Sequence, residues 1–324
     1  MTYVLLIIGF FLLIKGADFF VDGCSSVAKL LKVPSVIIGL TVVAFGTSMP
    51  EASVSINAAL KGANDLAVSN VIGSNIFNLL VVLGACAVIR PLNAKWSVLK
   101  KEFPFSIVIT VILLAAMGGL QISSVIKGKG TFVLGRAGGI ILFVLFIVFV
   151  VSTVRDAVRS RQSIEEAGEP EEEYKILTPL RTAVYIVGGA IGIVAGGNAV
   201  VSSATDIALQ FGLSQTFIGL TIVALGTSLP ELVTSLVAAG KGENDLALGN
   251  VVGSNVFNIL LILGVSAAIH PIAVDITAVY DTMILIVSSV IAYICAVSRR
   301  KFSKFEGTLF LMMYLAFFAY IMIR

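Results

Sequence analysis

Apolar runs about as long as a membrane crossing alternate with short charged or Gly- and Pro-containing breaks along the whole chain. Five runs precede the one long polar stretch and five follow it. About 20 consecutive apolar residues cross a bilayer as one α-helix, so the pattern predicts ten transmembrane helices. The predicted spans are 3–30, 35–60, 66–89, 103–122, 131–153, 181–210, 214–240, 246–269, 277–297 and 305–323.

The composition supports a membrane location. Apolar residues make up 58% of the 324 residues, only 13% are charged, and the mean hydropathy is +1.04. Soluble domains carry about 25% charged residues. We therefore predict an all-α polytopic membrane protein, embedded in the lipid bilayer of the plasma (inner) membrane.

The two halves of the chain repeat each other. Residues 39–91 align with 219–271 without a gap, and 32 of the 53 positions are identical, many of them polar. Five spans separate matching positions, so the second copy enters the membrane from the opposite side. Inverted repeats are typical of secondary transporters with a site near the midplane. The predicted units are a five-helix repeat at 1–154, an acidic cytoplasmic linker at 155–180 and a second, inverted five-helix repeat at 181–324.

The placement of lysine and arginine predicts the orientation. With the N-terminus outside, sixteen of these residues fall in inside loops and four in outside loops or the tail. Lys15 and Arg136 are left out because they lie within apolar runs. Cytoplasmic loops carry the excess of Lys and Arg, so both termini are predicted outside and the linker inside.

Other features of the composition exclude several classes of function. His270 is the only histidine, so Ser/His triads and two-histidine zinc sites cannot be built, and we do not expect an enzyme. Cys24, Cys86 and Cys295 lie in apolar runs and imply no disulfide framework. The net charge of +3 is spread over loops, so no nucleic-acid partner is expected. Nothing implies a protein partner or a resident cofactor.

The first polar cluster interrupts the middle of one predicted span in each copy. Its two versions are Gly46-Thr47-Ser48-Met49-Pro50-Glu51 and Gly226-Thr227-Ser228-Leu229-Pro230-Glu231. Pro50 has no N–H, so the carbonyl of Gly46 loses its helical partner, and Pro230 does the same in the second copy. We predict a loosened turn that presents carbonyl, hydroxyl and carboxylate oxygens on one face. Such oxygens suit hard cations such as Ca²⁺ and Na⁺.

The second polar cluster follows on the next predicted span. It runs from Asn70 to Asn78 and is repeated from Asn250 to Asn258. Two pairs in it lie four residues apart and present neutral oxygens on one helix face beside a buried acid, which predicts ion contact. These pairs are Ser74 with Asn78 and Ser254 with Asn258. For the remaining asparagines, interhelical hydrogen bonding and direct ion contact both stay open. They are Asn70, Asn75, Asn250 and Asn255.

Glu51 and Glu231 form the predicted centre of the site. An ionised carboxylate inside a membrane is costly unless it is paired or coordinates something, and a symmetric pair doubles that cost. Inverted symmetry brings the two glutamates towards each other at the bilayer centre. Four carboxylate oxygens and two freed carbonyls reach the lower end of the range that Ca²⁺ takes, about 6–8 oxygens.

The GTSxPE and GSNxxN blocks, duplicated in inverted order, resemble the α-repeats of the sodium/calcium exchanger family, prokaryotic type without a regulatory domain. The resemblance implies a core in which the second, third, seventh and eighth helices surround four cation subsites. It also implies secondary active exchange of Ca²⁺ for Na⁺ by alternating access, with the first and sixth helices sliding to gate the site. The implied roles are shared Ca²⁺/Na⁺ ligands for Glu51 and Glu231, backbone carbonyls towards Ca²⁺ for Thr47 and Thr227, Na⁺ ligands for Ser48, Ser74, Ser228 and Ser254 with the carbonyls of Ala44 and Ala224, and the middle subsite for Asn78 and Asn258.

The sequence is compatible with more than one counter-ion and with more than one class of transport protein. Some prokaryotic members of that family have Asp at the position of Asn258, so a titratable group is missing from the centre here. A Ca²⁺/H⁺ or K⁺-dependent exchanger is the second interpretation. A cation channel is a third, although a deep symmetric pair of acids suits tight binding and alternating access better than rapid exit.

Three charged residues of the first predicted helix fall outside the repeat pattern. Asp18 and Asp22 align with Asn198 and Ser202 of the second half, so their charges are not duplicated. We expect these two residues, with Lys15, to lie on the gating helix or at its interfaces.

Overall fold

The computed structural model describes residues 2–60, 64–96, 98–120, 132–167, 177–212, 222 and 224–323, and almost all of them are helical. Seven helices among these residues are long and apolar enough to cross a membrane, and a bent pair makes an eighth. This confirms an all-helical membrane protein. The helices are α1 (Thr2–Leu30), α2 (Ser35–Thr47), α3 (Met49–Leu60), α4 (64–89), α5 (Phe103–Ala116), α6 (Arg136–Ala167), α7 (Pro179–Gln210), α8 (Ala224–Gly226), α9 (Leu229–Lys241), α10 (Asn244–Ile269), α11 (Ile276–Arg299) and α12 (Lys304–Ile323).

The predicted spans and the observed helices differ in two places. Helix α6 continues to Ala167, well into the predicted linker, because no Gly or Pro interrupts the chain between Gly139 and Gly168. Helix α5 ends at Ala116, earlier than its predicted span. The first part of the predicted span 214–240 lies outside the described residues, as does the acidic core of the linker at 168–176.

Two small antiparallel strand pairs, which the sequence did not predict, join the two halves of the chain. Strand β1 (Leu92–Asn93) pairs with β4 (Lys301–Phe302), with Leu92 opposite Phe302. Strand β2 (Phe132–Leu134) pairs with β3 (Ile272–Val274), with Val133 opposite Ala273. Each pair therefore connects a segment of the first half to a segment of the second.

Helices α4 and α10 form the centre of the molecule. Buried residues make up 72% of the most apolar stretch of α4 and 78% of that of α10, compared with 22% for α6 and α12. Both central helices carry the second polar cluster. The polar residues predicted to hold ions are therefore enclosed by protein, while the apolar outer faces of α6 and α12 are left for lipid.

Helices α1 and α7 pack against each other along their lengths. A Cβ added at Gly16 would lie 2.7 Å from the backbone nitrogen of Ile193, and one at Gly189 would lie 2.6 Å from that of Phe20. Small residues let membrane helices approach this closely. The pair is therefore well suited to move as one body.

Lys241, the last residue of α9, ties that helix to α1. Its Nζ lies 2.6 Å from a carboxylate oxygen of Asp18 and 2.6 Å from one of Asp22, and it donates to the carbonyl of Asp18 at 2.9 Å. Lys15 is more distant, at 3.7 Å from Asp18. The charged residues of α1 thus lie at an interface, as expected for Asp18 and Asp22.

Candidate cation-binding site

The first polar cluster breaks its helix in both copies. Helices α2 and α3 meet at an angle of 52° around Ser48, whose backbone has φ −83° and ψ 7°. Ser228 has nearly the same backbone, φ −91° and ψ 4°, between α8 and α9. In each copy a proline follows two residues later and cannot donate to the preceding turn. The loosened turn predicted from Pro50 and Pro230 is confirmed.

Both glutamates are fully buried just after these breaks, and each is bonded to the other copy. Glu51 and Glu231 are 0% exposed. The hydroxyl of Ser48 donates to Oε1 of Glu231 at 2.8 Å, and that of Ser228 donates to Oε1 of Glu51 at 2.9 Å. The crossed bonds bring the two copies of the cluster together around one centre.

Helices α4 and α10 add hydroxyls and amides to this centre. The hydroxyls of Ser74 and Ser228 are 3.0 Å apart. Thr47 and Ser254 both donate to the amide oxygen of Asn250, at 3.0 and 3.4 Å. The hydroxyl of Thr47 therefore joins the broken helix of one copy to α10 of the other.

Asn78 and Asn258 each begin a wide, π-helical turn. These turns are Asn78–Val82 in α4 and Asn258–Leu263 in α10, and both asparagines are 0% exposed. The glutamate-bearing helix α9 packs against the first turn, and α3 packs against the second. Single π-turns within helices occur frequently at functional sites. Each of these turns therefore packs against the glutamate-bearing helix of the other copy.

Four buried oxygens around this centre have no hydrogen-bond partner among the described residues. They are Oε2 of Glu51, Oε2 of Glu231, Oδ1 of Asn78 and Oδ1 of Asn258. Buried polar atoms are nearly always bonded, and a buried carboxylate oxygen without a donor is costly. Carboxylate and amide oxygens are the ligands that Ca²⁺ and other hard cations prefer. Within the described part of the chain no three His, Cys, Asp or Glu side chains form a cluster that could hold a metal ion.

The remaining predicted site residues flank the broken helices. Thr227 is half-buried beside Ser228. The carbonyl of Ala44 accepts the N–H of Ser48 at 3.0 Å, and Ala224 begins the short helix α8. The two alanines therefore lie one turn before the breaks, where the sequence had placed them.

Ser55 and Ser235, whose role was not predicted from the sequence, bind asparagines of the second polar cluster. Their hydroxyls accept the amides of Asn70 and Asn250, both at 2.9 Å, and both serines are 0% exposed. Each serine lies four residues after a glutamate, at the same position in both copies. That spacing on one helix face was a usable signal.

A cavity of about 510 Å³ leads to one side of the broken helices. Its wall includes Ser53, Asn198 and Thr227, together with Pro50 and Pro230. On the other side, Phe20 is buried against Gly46, a Cβ at which would lie 3.0 Å from the phenyl ring. The two sides of the site therefore differ in access.

The chain is similar to known proteins along almost its whole length. A family model described as sodium/calcium exchanger protein matches residues 1–155 and 181–323. The chain belongs to the sodium/calcium exchanger family. It is 31% identical to the sodium/calcium exchanger MaX1 of Methanosarcina acetivorans over 344 aligned residues, covering 98% of this chain and 97% of that protein.

Two further relatives support the family assignment. The putative antiporter CaxA of Alkalimonas amylolytica is 38% identical over 321 residues, which cover 97% of this chain and 96% of that one. A solved structure of the sodium-calcium exchanger NCX_Mj, soaked with Na⁺ and Ca²⁺, matches with a TM-score of 0.80 at 30% identity and covers 98% of this chain and 97% of its own. This exchanger-family chain is thus a cation/Ca²⁺ antiporter rather than a member of an enzyme family.

Proposed function

We propose that this exchanger moves Ca²⁺ in exchange for Na⁺ by alternating access around Glu51 and Glu231. The observation that carries the proposal is the set of four unpartnered buried oxygens, two from carboxylates and two from amides. The two glutamates come from opposite halves of the chain, and the crossed bonds from Ser48 and Ser228 hold them at one centre. A dehydrated cation bound to these oxygens would balance the charge of the carboxylates and replace the missing hydrogen-bond donors.

The individual roles are those that the family resemblance implies. The unpartnered oxygens of the two glutamates would bind Ca²⁺ and Na⁺ in turn, with Asn78 and Asn258 lining the middle subsite. The carbonyls of Thr47 and Thr227 would face Ca²⁺. The proposed Na⁺ ligands are Ser48, Ser74, Ser228 and Ser254, with the carbonyls of Ala44 and Ala224.

The charge of the site favours an electrogenic cycle. Two ionised carboxylates carry a charge of −2, which one Ca²⁺ or two Na⁺ would neutralise. A third Na⁺, as the family resemblance implies, would leave the loaded site at +1. Exchange would then respond to voltage, at about 2.3 kcal/mol per charge per 100 mV.

We further propose ten spans in two inverted repeats, at 1–154 and 181–324, with a cytoplasmic linker at 155–180 and both termini outside the plasma membrane. Eight of these spans are the helices that are long and apolar enough to cross a membrane. The other two would be α5 and the segment 222–241. Both strand pairs support this count. Ten spans place the loops that contain β1 and β4 on the inside, and the loops that contain β2 and β3 on the outside.

In this orientation the structure would face outward. In the proposed topology Ser53 and Asn198 lie between the bilayer midplane and the outer ends of their helices. The cavity of about 510 Å³ that they line would therefore open to the outside. Phe20 packed on Gly46, and Lys241 bound to Asp18 and Asp22, would close the inner side.

Uptake of ⁴⁵Ca²⁺ into proteoliposomes under imposed Na⁺, H⁺ and K⁺ gradients tests the function. We expect uptake that requires an outward Na⁺ gradient and changes with a K⁺/valinomycin potential. Uptake that follows a pH gradient and needs no Na⁺ would favour Ca²⁺/H⁺ exchange, and a requirement for K⁺ on the Na⁺ side would favour the K⁺-dependent type. Flux without any counter-ion would indicate a channel.

A further inference from the structure

Asn75 and Asn255 clasp each other where the two halves of the chain meet. The side-chain nitrogen of Asn75 donates to the backbone carbonyl of Asn255 at 3.2 Å, and that of Asn255 donates to the carbonyl of Asn75 at 3.3 Å. The two residues occupy the same repeat position, and they are 0% and 4% exposed. Each amide therefore has its nitrogen fixed and its oxygen left to face a neighbour.

The two amide oxygens have different neighbours. Oδ1 of Asn75 accepts the side-chain nitrogen of Asn258 at 3.0 Å. The corresponding bond, from Asn78 to Asn255, is not made: both polar atoms of the Asn78 amide and Oδ1 of Asn255 are buried without a partner among the described residues. The repeat symmetry is therefore broken at this bond.

We propose that Asn75 is a positioning residue for the cation site, because its oxygen fixes which end of the Asn258 amide faces the ions. An amide has an acceptor end and a donor end. With its nitrogen held by Asn75, Asn258 keeps Oδ1 buried and without a partner among the described residues. Its turn packs against α3, the helix that carries Glu51. A rotated amide would present N–H groups, which repel a cation.

This role differs from direct ion contact. The nitrogen of Asn75 donates to Asn255 and its oxygen accepts from Asn258, so both polar atoms of this amide make bonds within the protein. The inference rests on the proposed function, because it assumes that Asn258 is a ligand. Residues that orient a metal ligand typically contribute about 10- to 100-fold in metal affinity.

A double-mutant cycle on the purified full chain tests the proposal, with equilibrium ⁴⁵Ca²⁺ binding as the readout. Asn75→Ala should weaken Ca²⁺ binding about tenfold or more. In the Asn258→Asp background the same change should weaken it by no more than about twofold, because a carboxylate presents an oxygen in either orientation. A loss from Asn75→Ala that is equal in both backgrounds would overturn the proposal, as would wild-type binding by Asn75→Ala.

Asn255→Ala is the matched control. It removes the reciprocal clasp bond but orients no amide of the site, so Asn258→Asp should not suppress its effect. Asn75→Leu, which keeps side-chain volume and lacks the acceptor, replaces Asn75→Ala if that variant does not fold, and it should behave in the same way. Absence of Ca²⁺ binding by the wild-type protein would contradict the proposed function itself. Wild-type binding with equal losses in both backgrounds would contradict only the role of Asn75.

Discussion

Asn258 adds a neutral amide to the proposed site, whose charged groups among the described residues are Glu51 and Glu231. It is fully buried, its nitrogen is bonded to Asn75, and its oxygen is free among the described residues. Competition between protons and cations at the proposed site would therefore be left to the two glutamates.

A third acid at this position should make transport depend more on pH. In Asn258→Asp the new carboxyl must lose its proton before it can bind a cation, and protons and cations then compete for it. We expect Na⁺-driven ⁴⁵Ca²⁺ uptake to fall more steeply between pH 8 and about 6 in this variant than in the wild type. Equal pH profiles for the two proteins would contradict the central placement of Asn258. Thr308→Asp, on an exposed turn of α12, controls for the added charge.

The repeat made most of the site predictable from sequence. A polar residue is costly in an apolar span unless it is bonded or functional. Its recurrence at an offset of 180, as at Ser74 and Ser254, therefore indicates a shared role in both halves. The hydrogen-bond partners were not predictable. Spacing along a helix says which face a side chain is on, but the Ser48–Glu231 and Asn75–Asn258 bonds cross between halves, and only the packed structure fixes them.

At the scale of elements, helix α1 is tied to α9 by charges that the repeat does not duplicate. Lys241 makes two ion pairs of 2.6 Å with Asp18 and Asp22. The corresponding positions of α7 hold Asn198 and Ser202, so the second half cannot form such pairs. In the proposed orientation this tie would favour the conformer with a closed inner side.

Lys241→Met should shift the exchanger towards the inward-facing state. The ion pairs are partly exposed, and such pairs are worth about 0.2–1 kcal/mol each, so the shift is about fivefold in population. The readout is the labelling rate of Ala17→Cys by an impermeant maleimide from the inner side, without Cys24, Cys86 and Cys295. Lys15→Met, at 3.7 Å from Asp18, is the control and should leave the rate unchanged. Equal rates in both variants would exclude a role for the tie.

Hydropathy predicted the helices better than their ends and connections. Burial in lipid requires long apolar helices, so their positions follow from composition alone. The bend at Ser48 also followed from Pro50. The strand pairs did not, because β1 and β4 are two residues each and pair across about 200 residues of chain, where no local pattern marks them.

The whole molecule consists of two halves that interlock on both faces. The strand pairs join them at each side, and α4 and α10 from opposite halves share the core. The α1–α7 pair lies outside this core. The proposed alternating access would move this pair against a fixed site.

The inverted topology predicts opposite faces for Lys61 and Lys241, which occupy matching repeat positions. Single cysteines at these positions, in a background without the three native cysteines, should label from opposite sides of oriented vesicles with an impermeant reagent. The outside reagent should reach position 61 and the inside reagent position 241. Labelling of both from one side would rule out the inverted repeat.

Equilibrium ⁴⁵Ca²⁺ binding to the purified chain, with Na⁺ as competitor, tests the central claim most directly. The wild-type protein should bind Ca²⁺ saturably and release it as Na⁺ rises. Glu51→Gln and Glu231→Gln should each weaken binding by about a hundredfold or more, because removing one partner of a buried charge cluster costs about 3–5 kcal/mol. Glu306→Gln is the control, since this buried acid accepts only local bonds from Ser303, at 2.6 and 2.8 Å, and its loss should leave Ca²⁺ affinity intact. Undiminished Ca²⁺ binding by either glutamate variant, or binding that Na⁺ does not displace, would contradict a shared Ca²⁺/Na⁺ site at Glu51 and Glu231.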